Sequence, residues 1–175
     1  MDFKQLLITI AFVIGNSQLS AQKLTVSNYK ISFSIKNAGL TVDGQFKGLK
    51  YDLFWDTNKP ENSKIGASVK VATLNTGIDL RDDHLLADSY FDEKRYPEIS
   101  LKSISIKIID KEKGKFVGTF LLSIKGDERT IDLPFTYSEK TFKTTFEIDR
   151  RDFGVGGNSF TMSDTVKIEI LINAS

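Results

Sequence analysis

From residue 31 onward, apolar and polar side chains alternate with a period of two. Ile31, Phe33 and Ile35 are separated by Ser32 and Ser34, and Leu49, Tyr51, Leu53 and Trp55 by Lys50, Asp52 and Phe54. Ala67, Val69 and Val71 alternate with Ser68 and Lys70. Phe116, Phe120, Leu122 and Ile124 share one parity with Gly118, and Ile131, Leu133, Phe135 and Tyr137 follow. Phe142, Phe146 and Ile148 form the next run, and Val166, Ile168, Ile170 and Ile172 the last. Each run predicts a strand of an antiparallel sheet with one buried face and one wet face. One run changes phase, since Ile99 and Leu101 are odd-numbered whereas Ile104, Ile106 and Ile108 are even. Keeping both sets inside requires an inserted residue, which predicts a β-bulge near Lys102–Ser103; the alternative is that the two halves of the strand face different layers.

The connections "DTNKPENS", "DKEKGK", "KGDER" and "YSEKT" are short and turn-like, so sequence neighbours should pair as hairpins. Thr76 to Tyr96 is the one interval placed outside the strands, with Asp79 to Leu86 as a short helix. Closure of eight such strands into a barrel would remove the exposed edges of an open sheet. The expected fold is therefore all-β, an eight-stranded antiparallel barrel with a short helical insertion. A small barrel either fills with side chains or holds one ligand. Strands of about ten residues would be roughly 33 Å long, enough to enclose an extended apolar tail. One parity of each strand should line the interior: Phe33, Ile35, Leu53, Trp55, Val69, Val71, Phe120, Leu122, Leu133, Phe135, Phe146, Ile168 and Ile170.

Composition narrows the use of such an interior. The chain has 175 residues, room for one domain with a sizeable core. Its 24 basic and 23 acidic residues leave a net charge of +1, which offers no general attraction to nucleic acid or anionic membrane. Thirteen phenylalanines against one tryptophan is a large apolar aromatic load. The first 21 residues read as a secretory signal: a short basic start at Lys4, an apolar run from Leu6 to Gly15, and small residues before a cleavage near Ala21–Gln22. Residues 22–175 would then be the mature domain, in the periplasm or outside the cell. With no cysteine, that domain relies on packing rather than disulfides.

Candidate chemistry is sparse. His84 is the only histidine, and with no cysteine its neighbours Asp82, Asp83, Asp88 and Asp92 do not make a zinc set. No calcium-loop pattern is present either. Arg81, Asp82 and His84 are expected to pair with backbone and one another and to hold the short helix over a barrel seam. "GNSFT" fails the nucleophile-elbow pattern at its last position, and "DFGVGGNS" lacks the third glycine and the following helix of a phosphate loop. The latter is expected to be a tight loop with positive φ at one or more of Gly154, Gly156 and Gly157. No catalytic residue, metal or cofactor is assigned.

The segments "YKISFSIKNAGL", "VDGQFKGL", "TGIDLRDDHLLADSYFDEKRYPEISLKS", "GTFLLSIKG" and "DFGVGGNS" occur in an order that resembles the YceI-like family. The resemblance runs from about Leu24 to Ala174. It implies an exported, lipocalin-like barrel that binds isoprenoid chains, quinone tails or other long apolar amphiphiles, for transport or storage, and that can dimerise. The family often has a histidine where Asn37 stands here, so a headgroup role of that histidine does not carry over. The alternatives are an enzyme acting on such a lipid through Asp82, His84 and Asp88, and a solid barrel that serves protein interactions.

Overall fold

The computed structural model describes residues 21–175, so the expected signal segment, apart from Ala21, lies outside the described residues. The described residues form ten antiparallel strands: β1 (Gln22–Lys23), β2 (Val26–Asn37), β3 (Leu40–Phe46), β4 (Lys50–Trp55), β5 (Lys64–Lys70), β6 (Glu98–Asp110), β7 (Lys115–Ile124), β8 (Asp127–Ser138), β9 (Thr141–Asp149) and β10 (Met162–Ala174). One helix, α1 (Asp79–Leu86), falls on the expected segment. The strands make a single, strongly curled sheet in the order β1-β4-β5-β6-β7-β8-β9-β10-β2-β3. From β4 to β10 every neighbour is a sequence neighbour, as short turns dictate.

Ten strands stand where the periodicity predicts eight: β1 and β3 fall outside the eight alternating runs. Only Leu24 and Thr25 separate β1 from β2, and Thr25 exchanges backbone hydrogen bonds with Ser175 at the end of β10. Lys47, Gly48 and Leu49 separate β3 from β4, with Gly48 at φ +70°. The amide of Gly48 donates to the Tyr29 hydroxyl at 2.9 Å, so a side chain replaces the missing ladder contact.

The bulge in β6 falls between Ser103 and Ser105 of its pairing with β7. Ser103 Oγ accepts the amide of Ile65 at 2.9 Å. The bulge does not bring the even isoleucines inside together: Ile106 is buried, whereas Ile104 and Ile108 are exposed. β7 shows the alternation most cleanly, with Phe116, Gly118, Phe120, Leu122 and Ile124 all buried. Val71 belongs not to a strand but to a 3₁₀ turn, Val71–Thr73, where its side chain is buried beneath the chain leaving β5.

Candidate functional site

The concave side of the sheet encloses a cavity of about 330 Å³ with almost wholly apolar walls. All of the expected lining residues border it except Trp55 and Val71. Phe33, Ile35, Phe146, Ile168 and Ile170 point inward yet are only half-buried. The surface they keep is surface facing the cavity, which distinguishes a lined space from a filled core.

Trp55 is instead part of the floor. Its indole meets Phe116 edge-on at 5.1 Å and Phe142 at 5.2 Å, and tilts against Tyr137 at 4.9 Å. Leu24 and Ala174 are buried in the same cluster. Edge-to-face aromatic packing of this kind adds about 0.5–1.5 kcal/mol per pair beyond the area buried. Burial pushes the Tyr137 phenol above its ordinary value. Phe135 and Phe142 belong to both the floor and the cavity wall, so they form the boundary between them.

The other end of the cavity is polar and open. The exposed side chains of Asn37 and His84 border it, together with Arg81, Tyr90, Met162 and the buried Arg150. The wall is also thinned at one side. β8 and β9 pair only from Phe135–Ser138 to Thr141–Thr144, and Pro134, which has no N–H to donate, stands where the ladder stops. Its carbonyl accepts the Thr144 hydroxyl at 2.8 Å.

The helix is held by Asp82 rather than by His84. The buried Asp82 carboxylate accepts the Thr76 amide at 2.9 and 3.1 Å and also the Thr76 hydroxyl. Arg81 closes the same loop, donating through Nε to Thr76 Oγ1 at 2.7 Å and through Nη2 to the Thr76 carbonyl at 2.8 Å. His84, expected within this network, lies outside it: the imidazole is exposed and packs 5.0 Å from the Tyr90 ring. Asp88 is likewise exposed. Among the described residues, no group of three or more His, Asp or Glu side chains converges as metal ligands do.

The glycine loop has positive φ at all three positions, Gly154 (+61°), Gly156 (+75°) and Gly157 (+51°). A side chain on Gly156 would also strike the Tyr90 ring, at 2.7 Å, so the loop and the segment after α1 pack only because that position is bare. Arg150 organises this loop and carries no periodic signal in the sequence. It is 3% exposed, and its guanidinium donates to the carbonyls of Ser163, Val155 and Gly157 and to Asp164, at 2.7–2.9 Å. Ala67, on the same face of β5 as Val69, also lines the cavity, as do Ile99 and Leu101 of β6. Phe91, Phe153 and Val155 line it from irregular segments, where no period exposes them to sequence reading.

Residues 22–174 match the model of the YceI-like domain. The chain belongs to the YceI-like family. A UPF0312 protein of Pseudomonas putida (strain GB-1) is 27% identical to this YceI-like chain over 183 residues, covering 93% of each. Another, from Photorhabdus laumondii, is 29% identical over 71% of this chain and 68% of its own length. Among solved structures, Burkholderia cenocepacia BcnA superposes with a TM-score of 0.78 at 24% identity, covering 84% of this chain and 96% of that one. A polyisoprenoid-binding domain from Saccharophagus degradans superposes with a TM-score of 0.64 at 15% identity, covering 89% and 98%. At these identities, both structures establish the fold.

Proposed function

We propose that this YceI-like protein binds a long apolar chain, a polyisoprenoid or a similar lipid tail, inside the cavity, with the tail toward the Trp55 floor and the head at Asn37, Arg81 and His84. The observation that carries the reading is the row of inward, half-buried apolar side chains around a 330 Å³ space. That volume lies within the range of ligand pockets, about 300–1,000 Å³. A neighbour in fold described as polyisoprenoid-binding supports the choice of ligand class.

The wall is best read as a barrel of eight staves. β1 and β2 form one interrupted stave, and β3 and β4 another. The pairings β1–β4, β2–β3 and β2–β10 support this reading. His84 stands outside the Asp82–Thr76 network. The role we propose is carriage or storage, outside the cytoplasm, after removal of residues 1–21. Organic extraction of the purified protein with mass spectrometry tests it: a co-purifying long-chain lipid, stoichiometric with protein, is expected. Turnover of that lipid by the protein would replace the reading with an enzymatic one.

A further inference from the structure

Four large apolar side chains stand in water around the open end of the cavity. Leu40 is 72% exposed at the β2–β3 turn, and Ile78 and Leu80, at the start of α1, are 53% and 81% exposed. Phe160, in the loop before β10, is fully exposed. These residues come from three separate segments, and backbone pairings bring the segments to one rim. Ala38 donates to the Thr161 carbonyl at 2.8 Å, which sets the Phe160 loop beside the Leu40 turn. Asn75 bridges antiparallel to Gln45 of β3, so the chain from Thr76 to Ile78 leaves in the direction of Leu40. Gly77 borders the same outer groove as Asp43 and Gly44. Inside this ring of tips lie Asn37, Val42 and Met162 at the cavity mouth.

We infer that this rim seats on a lipid bilayer, with the four side chains in the boundary between headgroups and acyl chains and the cavity mouth facing the membrane. The inference rests on the reading of the cavity as the site of an apolar chain. Contiguity of tips and mouth is the reason to choose a bilayer. A tail passing directly from membrane to cavity crosses no water, and each methylene exposed on the way would raise the barrier. Apolar side chains on a polar scaffold sit stably at that boundary. The charges among the tips are mixed, Lys36 and Arg81 against Asp43, Asp79 and Asp83. With no basic collar to draw anionic lipid, the surface fits a neutral membrane.

Flotation with phosphatidylcholine vesicles tests the rim, using the protein as purified from an expressing bacterium and a Leu80→Ser/Phe160→Ser variant. Both positions are exposed, so thermal melts of the two proteins should coincide. The protein should float in a manner insensitive to salt, and the variant should partition at least tenfold more weakly. Uptake of a fluorescent long-chain alcohol should slow in the variant from vesicles but not from detergent micelles. A protein that loads from micelles but does not float overturns the assignment and points to a protein partner at the rim. A variant that floats and loads like the parent overturns it as well. Flotation lost in the variant, with neither protein loading from micelles, supports the rim and refutes the cargo reading instead.

Discussion

Replacing Ala67 by phenylalanine separates a lined cavity from a filled core, because the two predict opposite signs. Ala67 lies mid-strand in β5, paired with Tyr51 of β4 and Leu101 of β6, and lines the cavity. A buried aromatic ring covers about 150–250 Å², so the substitution removes on the order of 100 Å² more apolar surface from water than the methyl group does. At about 25 cal/mol per Å² this is ~2.5 kcal/mol, less about 1 kcal/mol for fixing the ring. A net gain of about 1.5 kcal/mol raises Tm by roughly 3–6 °C for a chain of this size. The ring also takes a substantial share of the 330 Å³ space, so affinity for a polyprenol should fall at least tenfold. Calorimetric melts without ligand and a binding titration on the same samples measure both effects. A fall in Tm would mean that the ring meets packed side chains, since overpacking costs about 1–3 kcal/mol. Unchanged affinity in a folded variant would refute binding inside the cavity.

The remaining substitutions probe the parts that hold the cavity in place. Arg150→Met should cost about 3 kcal/mol, because Asp164, the Ser163 carbonyl of β10 and two loop carbonyls lose a buried charged donor; denaturant melts at neutral pH measure it. Asp82→Ala should cost about 1–2 kcal/mol by stranding the Thr76 amide and hydroxyl, whereas His84→Ala should change stability by less than about 0.5 kcal/mol; the same melts compare them. Tyr137 should ionise above the ordinary phenol range in an absorbance titration, as the difference between the parent and Tyr137→Phe. Its folded value lies above the ordinary 10.0, so the stability it contributes is complete below pH 10 and is lost as pH rises through the raised value. Tyr137→Phe should flatten that alkaline loss of stability.

The strands were legible because a period of two leaves little freedom, as β7 shows with every even residue buried. The phase change in β6 was enough to locate its bulge. The sequence carried less where backbone geometry and not periodicity decides. β1 and β3 were not read as strands, since neither carries an alternating apolar run, and Val71 turned into a 3₁₀ turn although its parity matched the strand before it. Trp55 has the parity of a lining residue, but its height along the strand places it in the floor. The expected Arg81–Asp82–His84 cluster was half correct: the helix spacing that joins Arg81 and Asp82 to Thr76 turns His84 outward. Arg150 was missed because most of its partners are backbone carbonyls, which no residue pattern announces.

Trp55 is the one tryptophan of the chain and lies at the floor of the cavity, so its emission reports directly on what reaches the floor. A polyprenol carrying a nitroxide at its tail end should quench Trp55 in proportion to the chain bound, and the same chain labelled at its head should quench far less. Strong quenching by the tail label, abolished in Ala67→Phe, is the result that tail-first insertion predicts. Stoichiometric binding of the tail-labelled chain with undiminished Trp55 emission would contradict it.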